Sequence, residues 1–192
     1  TPVGETALRF YTDFANPQRE VYTWNATMNY SFNAFASGKT AMMVNYAHQI
    51  DALRTAAPRL NWTVAPIPQA SAADVRTYAN YWPLVVSAKT KFPNEAWQFV
   101  HYMTAGDGNL AYLNAAHRPS ARHDLIDQQK TDPDMGVFAE QALAARSWLQ
   151  IDAAAIETIF ADMIDNVNLG KQTIADALRS AEAKISVMMS SR

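Results

Sequence analysis

The chain has 192 residues, of which 49% are hydrophobic and 18% charged, and this length suits one large domain or a divided one. Its net charge of −2 excludes the basic surface that nucleic-acid binding requires. The absence of cysteine excludes disulfides, cysteine nucleophiles and thiolate metal sites, and no apolar stretch approaches the roughly 18 residues of a membrane-spanning helix.

The first part of the chain predicts helices alternating with short strands. Apolar spacing and helix-ending residues predict helices over residues 5–14, 30–36 and 47–56, the second of them closed by Gly38. Apolar runs predict strands over residues 40–45 and 62–68. Polar and aromatic residues follow each strand, which is where open α/β folds bind small ligands.

The rest of the chain predicts mainly helices. A short buried strand is predicted over residues 84–86, and helices are predicted to begin at Pro93 and to cover residues 109–116, 121–129 and 136–145. Two amphipathic helices close the chain, with apolar stripes running from Ile156 to Val167 and from Ile174 to Met188. Thr173 and Asp176 have capping-box spacing at the start of the last helix.

Several segments follow one another in an order that resembles a known family. They are Ala34–Met42, Trp62–Pro68, Ala79–Trp82, Pro93–Trp97, Arg118–Pro119 and Asn168–Thr173. Together they make the chain similar to the C-terminal portion of an extracellular solute-binding protein of the sugar-binding type (family 1), the ligand-capturing component of a bacterial ABC importer. The resemblance extends over nearly all of the chain.

The resemblance implies a helix-rich α/β fold of the type II periplasmic-binding-protein kind. Residues 1–68 would form the α/β part of the second lobe, residues 69–119 a crossover that normally packs in the first lobe, and residues 120–192 the C-terminal helices of the second lobe. The chain is expected to be a fragment without most of the first lobe. Residues 69–119 would then expose apolar surface unless they repack or pair with another copy.

The same resemblance marks candidate ligand contacts. Tyr46 and His48 follow the first predicted strand, at a turn where family members often place an aromatic that stacks on the ligand. An aromatic ring suits a saccharide because the carbon face of a sugar is apolar, whereas its hydroxyl rim needs hydrogen bonds. The alternative is an ordinary helix start with Tyr46 packed on the surface.

Six further candidates are aromatic or amide side chains in loops or beside predicted strands: Trp24, Asn25, Asn80, Tyr81, Trp82 and Trp148. The three consecutive residues precede the strand predicted over 84–86, and the last tryptophan lies where the family often has a cleft aromatic. Each aromatic has an alternative role in local core packing. The amides would offer hydrogen bonds to a polar solute.

The sequence therefore predicts non-catalytic capture of a small polar solute, a saccharide, for import through a membrane permease. The parent protein is expected to be exported to the periplasm or cell surface, with its signal or lipid anchor in a missing N-terminal part and with no cofactor or metal. One alternative is a stand-alone helical domain whose apolar stripes bind a partner chain. A hydrolase using His48 and Asp51 is disfavoured, because neither HExxH nor GxSxG occurs.

Overall fold

The computed structural model describes residues 1–190, and most of its regular structure is helical. A one-turn 3₁₀ helix, Ala47–Gln49, leads directly into the third α-helix. The α-helices are α1 (Pro2–Asp13), α2 (Ser31–Ala36), α3 (Ile50–Ala56), α4 (Pro93–Thr104), α5 (Gly106–Ala116), α6 (His123–Gln129), α7 (Gly136–Ala142), α8 (Ala153–Asn168) and α9 (Ile174–Ser190).

Two short strands, β1 (Thr77–Tyr78) and β2 (Ala145–Arg146), form a parallel pair. Thr77 is in register with Ala145, and Tyr78 with Arg146. The sequence did not predict either strand. β2 also explains why α7 ends at Ala142, three residues earlier than predicted.

The strands predicted over residues 40–45, 62–68 and 84–86 are wrong, because these segments have no ladder partner within residues 1–190. An apolar, β-branched run favours extended backbone, but a strand also needs a neighbour to accept and donate its backbone hydrogen bonds. One substitute partner is a side chain: the Ile67 N–H donates to Gln141 Oε1 at 3.0 Å.

Helix ends follow the local chemistry that the sequence displays. Thr173 Oγ1 accepts from the Asp176 N–H at 3.2 Å, which confirms the predicted cap of α9. Asp152 caps α8 in the same way, accepting from the Ala155 N–H at 3.0 Å. Gly38 and Gly170, which follow α2 and α8, have φ of 71° and 67°, values that favour glycine after a helix.

Contacts divide the chain into two units that differ from the predicted ranges. The first unit combines residues 1–29 with the chain from Trp148 onward, and the second is residues 30–147. The lobe boundaries predicted after residues 68 and 119 do not coincide with these divisions, and the lobe assignment stays a prediction.

The first unit is a three-helix cluster in which α1 packs on α8 and α9. Its core contains Leu8, Met163, Ala177 and Ala181. The two alanines lie one turn apart on α9, and their small side chains let neighbouring helices approach closely. The amphipathic stripes predicted for α8 and α9 therefore form the core of this unit.

The second unit has a smaller core beside the 3₁₀ helix. Ala47, Ile50 and Met135 are buried together, and Trp62 and Phe138 pack against them. This cluster joins the start of α3 to the start of α7. It holds in place the backbone that follows Tyr46, where the candidate site lies.

Helix α4 packs against α5 but contains no buried residue. Its aromatic side chains remain largely exposed, at 58% for Trp97, 59% for Phe99 and 62% for Tyr102. The apolar surface expected within residues 69–119 is therefore present. A helix with this much exposed aromatic area is typical of a protein-contacting surface.

Candidate functional site

Tyr46 and His48 form a stacked ring pair in the second unit. Their centroids are 5.7 Å apart and the ring planes are 14° from parallel. Tyr46 has extended backbone just before the 3₁₀ helix, and its N–H donates to Asn45 Oδ1 at 2.9 Å. Buried Ala47 separates the two rings in sequence, so its packing holds the turn that presents them.

Tyr78 is connected to this ring pair through a shared support, helix α7. Met135, immediately before α7, packs with Ala47, while near its other end the Gln141 carbonyl accepts from Thr77 Oγ1 at 2.7 Å. Six helical residues span roughly 9 Å. The two anchored residues, Ala47 and Thr77, are the sequence neighbours of Tyr46 and Tyr78. Contacts with one helix therefore hold both tyrosines.

The electrostatics of Tyr46 agree with this placement. Partial burial, and then the nearby Tyr78 phenol, raise the pKa of the Tyr46 phenol above its ordinary value. Both effects disfavour the phenolate. At neutral pH Tyr46 therefore presents an apolar ring face and a hydroxyl that can donate or accept a hydrogen bond.

Arg146 lies opposite Tyr78 in the parallel strand pair. Residues in register in neighbouring strands project from the same face. Arg146 Nη1 donates to the Ala145 carbonyl at 2.9 Å, and no carboxylate within residues 1–190 forms an ion pair with its guanidinium. A cation is therefore available beside Tyr78, the strand residue of the ring cluster defined by Tyr46, His48 and Tyr78.

Asn80, Tyr81 and Trp82 follow β1 and are exposed. Trp82 is 92% exposed, so the alternative in which it fills a core does not hold in this structure. Neither Tyr81 nor Trp82 forms a ring–ring contact in the part of the chain that the structure describes. These side chains lie shortly after Tyr78 in sequence, and the structure gives no contact joining them to Tyr46.

Trp24 and Asn25 belong to the first unit and have local partners. The Trp24 ring meets the Tyr11 ring edge-on, with centroids 5.8 Å apart. Asn25 Oδ1 accepts from the Thr27 N–H at 2.9 Å, and its amide donates to the Tyr22 hydroxyl. These contacts order the loop after α1.

Trp148, the remaining candidate, also belongs to the first unit. It is 45% exposed and lies between β2 and α8. Its exposure leaves the indole accessible to solvent, so local core packing does not account for it fully.

A separate groove of about 230 Å³ lies between residues 84–90 and α4. Its walls are mainly apolar, with Leu84, Val85 and Phe99 among them. Its two hydroxyl groups are already used by the backbone: Ser87 Oγ accepts from Lys89 N–H, and Thr90 Oγ1 from Phe92 N–H, both at 3.2 Å. The groove suits apolar packing better than capture of a polar solute.

The acid–base pair considered for a hydrolase is not formed. Asp51 Oδ2 lies 2.9 Å from Nδ1 of His117, whereas His48 stacks on Tyr46. Within residues 1–190, no group of three or more histidine or carboxylate side chains is placed to hold a metal ion. The residues singled out for hydrolysis therefore have other partners.

The sequence model of a bacterial extracellular solute-binding protein family matches residues 2–139. The chain belongs to this family. The predicted resemblance is confirmed, and the family implies a periplasmic-binding-protein-like fold and solute capture for import with an ABC permease. Solute-binding families are generally non-enzymatic and their members are exported. No curated protein sequence matches the chain.

Within residues 1–190 of this solute-binding protein, no helix combines the length and apolar character needed to cross a bilayer. Sequence reasoning missed Tyr78 and Arg146. Tyr78 immediately precedes the predicted segment Ala79–Trp82, and Arg146 is two residues before Trp148. The aromatic spacing could have drawn attention to Tyr78, but only the strand register brings Arg146 beside it.

Proposed function

We propose that the chain captures a saccharide at the ring cluster of Tyr46, His48 and Tyr78. The observation that carries this proposal is the stacked Tyr46–His48 pair, whose turn packs at the start of the helix that also holds β1. A stacked pair of planar side chains offers a flat, partly apolar platform of the size of a pyranose ring. Hydroxyl and imidazole groups at its edge supply the hydrogen bonds that a sugar rim requires.

The other candidates enter as secondary contacts in this proposal. Asn80, Tyr81 and Trp82 continue the exposed polar and aromatic surface beyond Tyr78. Within the first unit, Trp24, Asn25 and Trp148 are separate candidates that would offer an aromatic face or an amide to a solute. Their local contacts make Trp24 and Asn25 the weaker candidates, because a ligand would compete with Tyr11 and Thr27.

We also propose the lobe arrangement suggested by the sequence. Residues 1–68 and 120–192 would form the second lobe, and residues 69–119 would pack against the first lobe. The exposed aromatics of α4 support this, since covering them would bury apolar area. Hinge closure would then enclose the saccharide before delivery to a permease.

Calorimetric titration of the chain with neutral and acidic mono- and oligosaccharides tests solute capture. Replacing Tyr46 by Ala should weaken saccharide binding about tenfold, the loss expected for one stacking partner, whereas Tyr46→Phe should retain most of the affinity. Tyr30→Ala is a matched control, because that tyrosine is 70% exposed and lies before α2. Absence of heat with every saccharide at millimolar concentration would contradict the proposal.

One observation favours a second candidate function. The unburied aromatic side chains of α4 are typical of a protein-binding surface, as a stand-alone interaction domain would require. That function predicts tight association with another chain and no response to saccharides. Combining the titration with a size measurement over a dilution series separates the two functions.

A further inference from the structure

Arg146 has no acidic partner among the described residues, unlike three other arginines of the second unit but like Arg59 and Arg118. In the same unit, Arg54 pairs with Asp134 at 2.5 Å, Arg76 with Asp74 at 3.0 Å, and Arg122 with Asp124 at 2.6 Å. Arg146 donates to a backbone carbonyl instead. A planar guanidinium has five N–H donors, so most of its hydrogen-bonding capacity is available.

The strand pair determines where Arg146 lies. Tyr78 and Arg146 are in register on neighbouring parallel strands, which lie about 4.8 Å apart and project paired side chains from one face. Thr77 anchors this pair to α7 through its hydroxyl, and α7 also supports the turn that carries Tyr46. The cation and the aromatic platform therefore have a common support.

The acidic residues nearest in sequence to His48 and Tyr78 are engaged elsewhere, and those nearest to Arg146, Glu140 and Asp152, form no ion pair with it. Asp51, three residues after His48, contacts His117, and Asp74, four residues before Tyr78, pairs with Arg76. Neither carboxylate is paired with Arg146. The cluster and Arg146 together contain two phenols, one imidazole and one guanidinium without an acidic partner. This set of groups favours a ligand with negative charge.

We propose that the solute is an acidic saccharide whose carboxylate or phosphate group is bound by Arg146 while its ring stacks on Tyr46. This inference rests on the proposed function and specifies the substrate class of the same site. A guanidinium matches both anionic groups because its N–H donors form a planar fork that binds two oxygens at once. Neutral sugars would use only the platform and the phenol hydroxyls.

The test compares matched probes by calorimetry at low and moderate salt. Glucose is compared with glucuronate, which adds a carboxylate, and with glucose 6-phosphate, which adds a phosphate. At least one acidic probe should bind about tenfold to a hundredfold more tightly than glucose, as expected for charge-assisted hydrogen bonds. Added salt should reduce this preference.

Three variants assign the preference to a residue. Arg146→Met should abolish the preference for the acidic probe, whereas Arg146→Lys should keep part of it because the charge remains but the planar fork does not. Arg59→Met is the matched control, since Arg59 is exposed and has no acidic partner in the described chain. Circular dichroism and thermal unfolding establish that each variant is folded.

The outcomes distinguish a failure of the acidic-ligand inference from a failure of saccharide capture. If neutral and acidic probes bind equally, the acidic-ligand inference is overturned and saccharide capture stands. If an acidic preference survives Arg146→Met, the role of Arg146 is overturned. If no saccharide binds, both proposals fail together.

Discussion

His117 Nδ1 lies 2.9 Å from Asp51 Oδ2, and this contact connects the end of α5 to the first turn of α3. His117 also has a φ of 45°, in the left-handed region that glycine occupies most easily. Both side chains are 56% exposed, so water and salt weaken this contact. The histidine therefore combines a modest favourable contact with an unfavourable backbone conformation.

In a variant that already carries Asp51→Asn, the substitution His117→Gly should raise the free energy of unfolding. Relief of the left-handed backbone is worth about 1 kcal/mol, whereas the exposed pair contributes about 0.2–1 kcal/mol when intact. In the wild-type background the two effects should nearly cancel. Urea unfolding of the two single variants and the double variant measures both terms. A large loss of stability in the double variant would contradict this explanation.

The stability contributed by Asp132 should depend on pH. Asp132 Oδ1 accepts the N–H groups of Met135 and Asp134, both at 2.8 Å, and these bonds lower the pKa of its carboxyl, helped by nearby His117 and Arg54. A lowered folded-state pKa stabilises the fold above the unfolded value of about 3.9, and this contribution disappears as pH falls through the folded value.

The measurement compares wild type with Asp132→Asn by thermal unfolding between pH 7 and pH 2.5. The asparagine keeps an acceptor oxygen but not the charge. Wild type should therefore have the higher melting temperature at pH 7, and the difference should disappear below about pH 3.9. Asp162→Asn, on the exposed face of α8, is the matched control. A gap that stays constant throughout this range would refute the assignment.

Removal of the Asp152 cap should weaken the helix cluster of the first unit. Asp152→Ala leaves the Ala155 N–H without its side-chain acceptor and should lower the free energy of unfolding by about 1 kcal/mol. Asp152→Ser should restore most of it, because a serine oxygen also accepts at this position. Equal losses for alanine and serine would show that charge near the helix start matters more than the hydrogen bond.

The exposed face of α4 should make the isolated chain self-associate. Trp97→Glu places a charge among exposed aromatics and should shift a concentrated sample toward monomer, as followed by light scattering over a dilution series. Met42→Glu is the control, since Met42 is 84% exposed but lies outside α4. A wild-type chain that is monomeric at every concentration would argue against an adhesive α4 surface.

Helices were predictable from the sequence because their signals are local. Apolar stripes, the Thr173–Asp176 cap and the glycines after α2 and α8 each act within one turn or two. Strands were not, since pairing depends on a partner distant in sequence. The run over residues 62–68 has the composition of a strand, yet the two-residue ladder forms between β1 and β2, which lack a strong strand pattern.

The same contrast between local and long-range contacts applies to the candidate site. Tyr46 and His48 were predicted because the family resemblance places an aromatic at this turn, and their stacking is a local contact. Arg146 reaches the site through a register that joins residues 68 positions apart, which no local pattern encodes. The disfavoured hydrolase alternative would have paired His48 with Asp51, but this carboxylate contacts His117, which is also distant in sequence.

The brevity of the β1–β2 ladder gives it a thermodynamic role of its own. So few backbone hydrogen bonds should open readily, and amide protons there should exchange with deuterated solvent far sooner than those inside α8 or α9. A ligand that binds both Tyr78 and Arg146 would stabilise the strand pair, and exchange would slow as the occupancy of the site rises. Deuterium uptake at these few amides would thus report ligand capture directly.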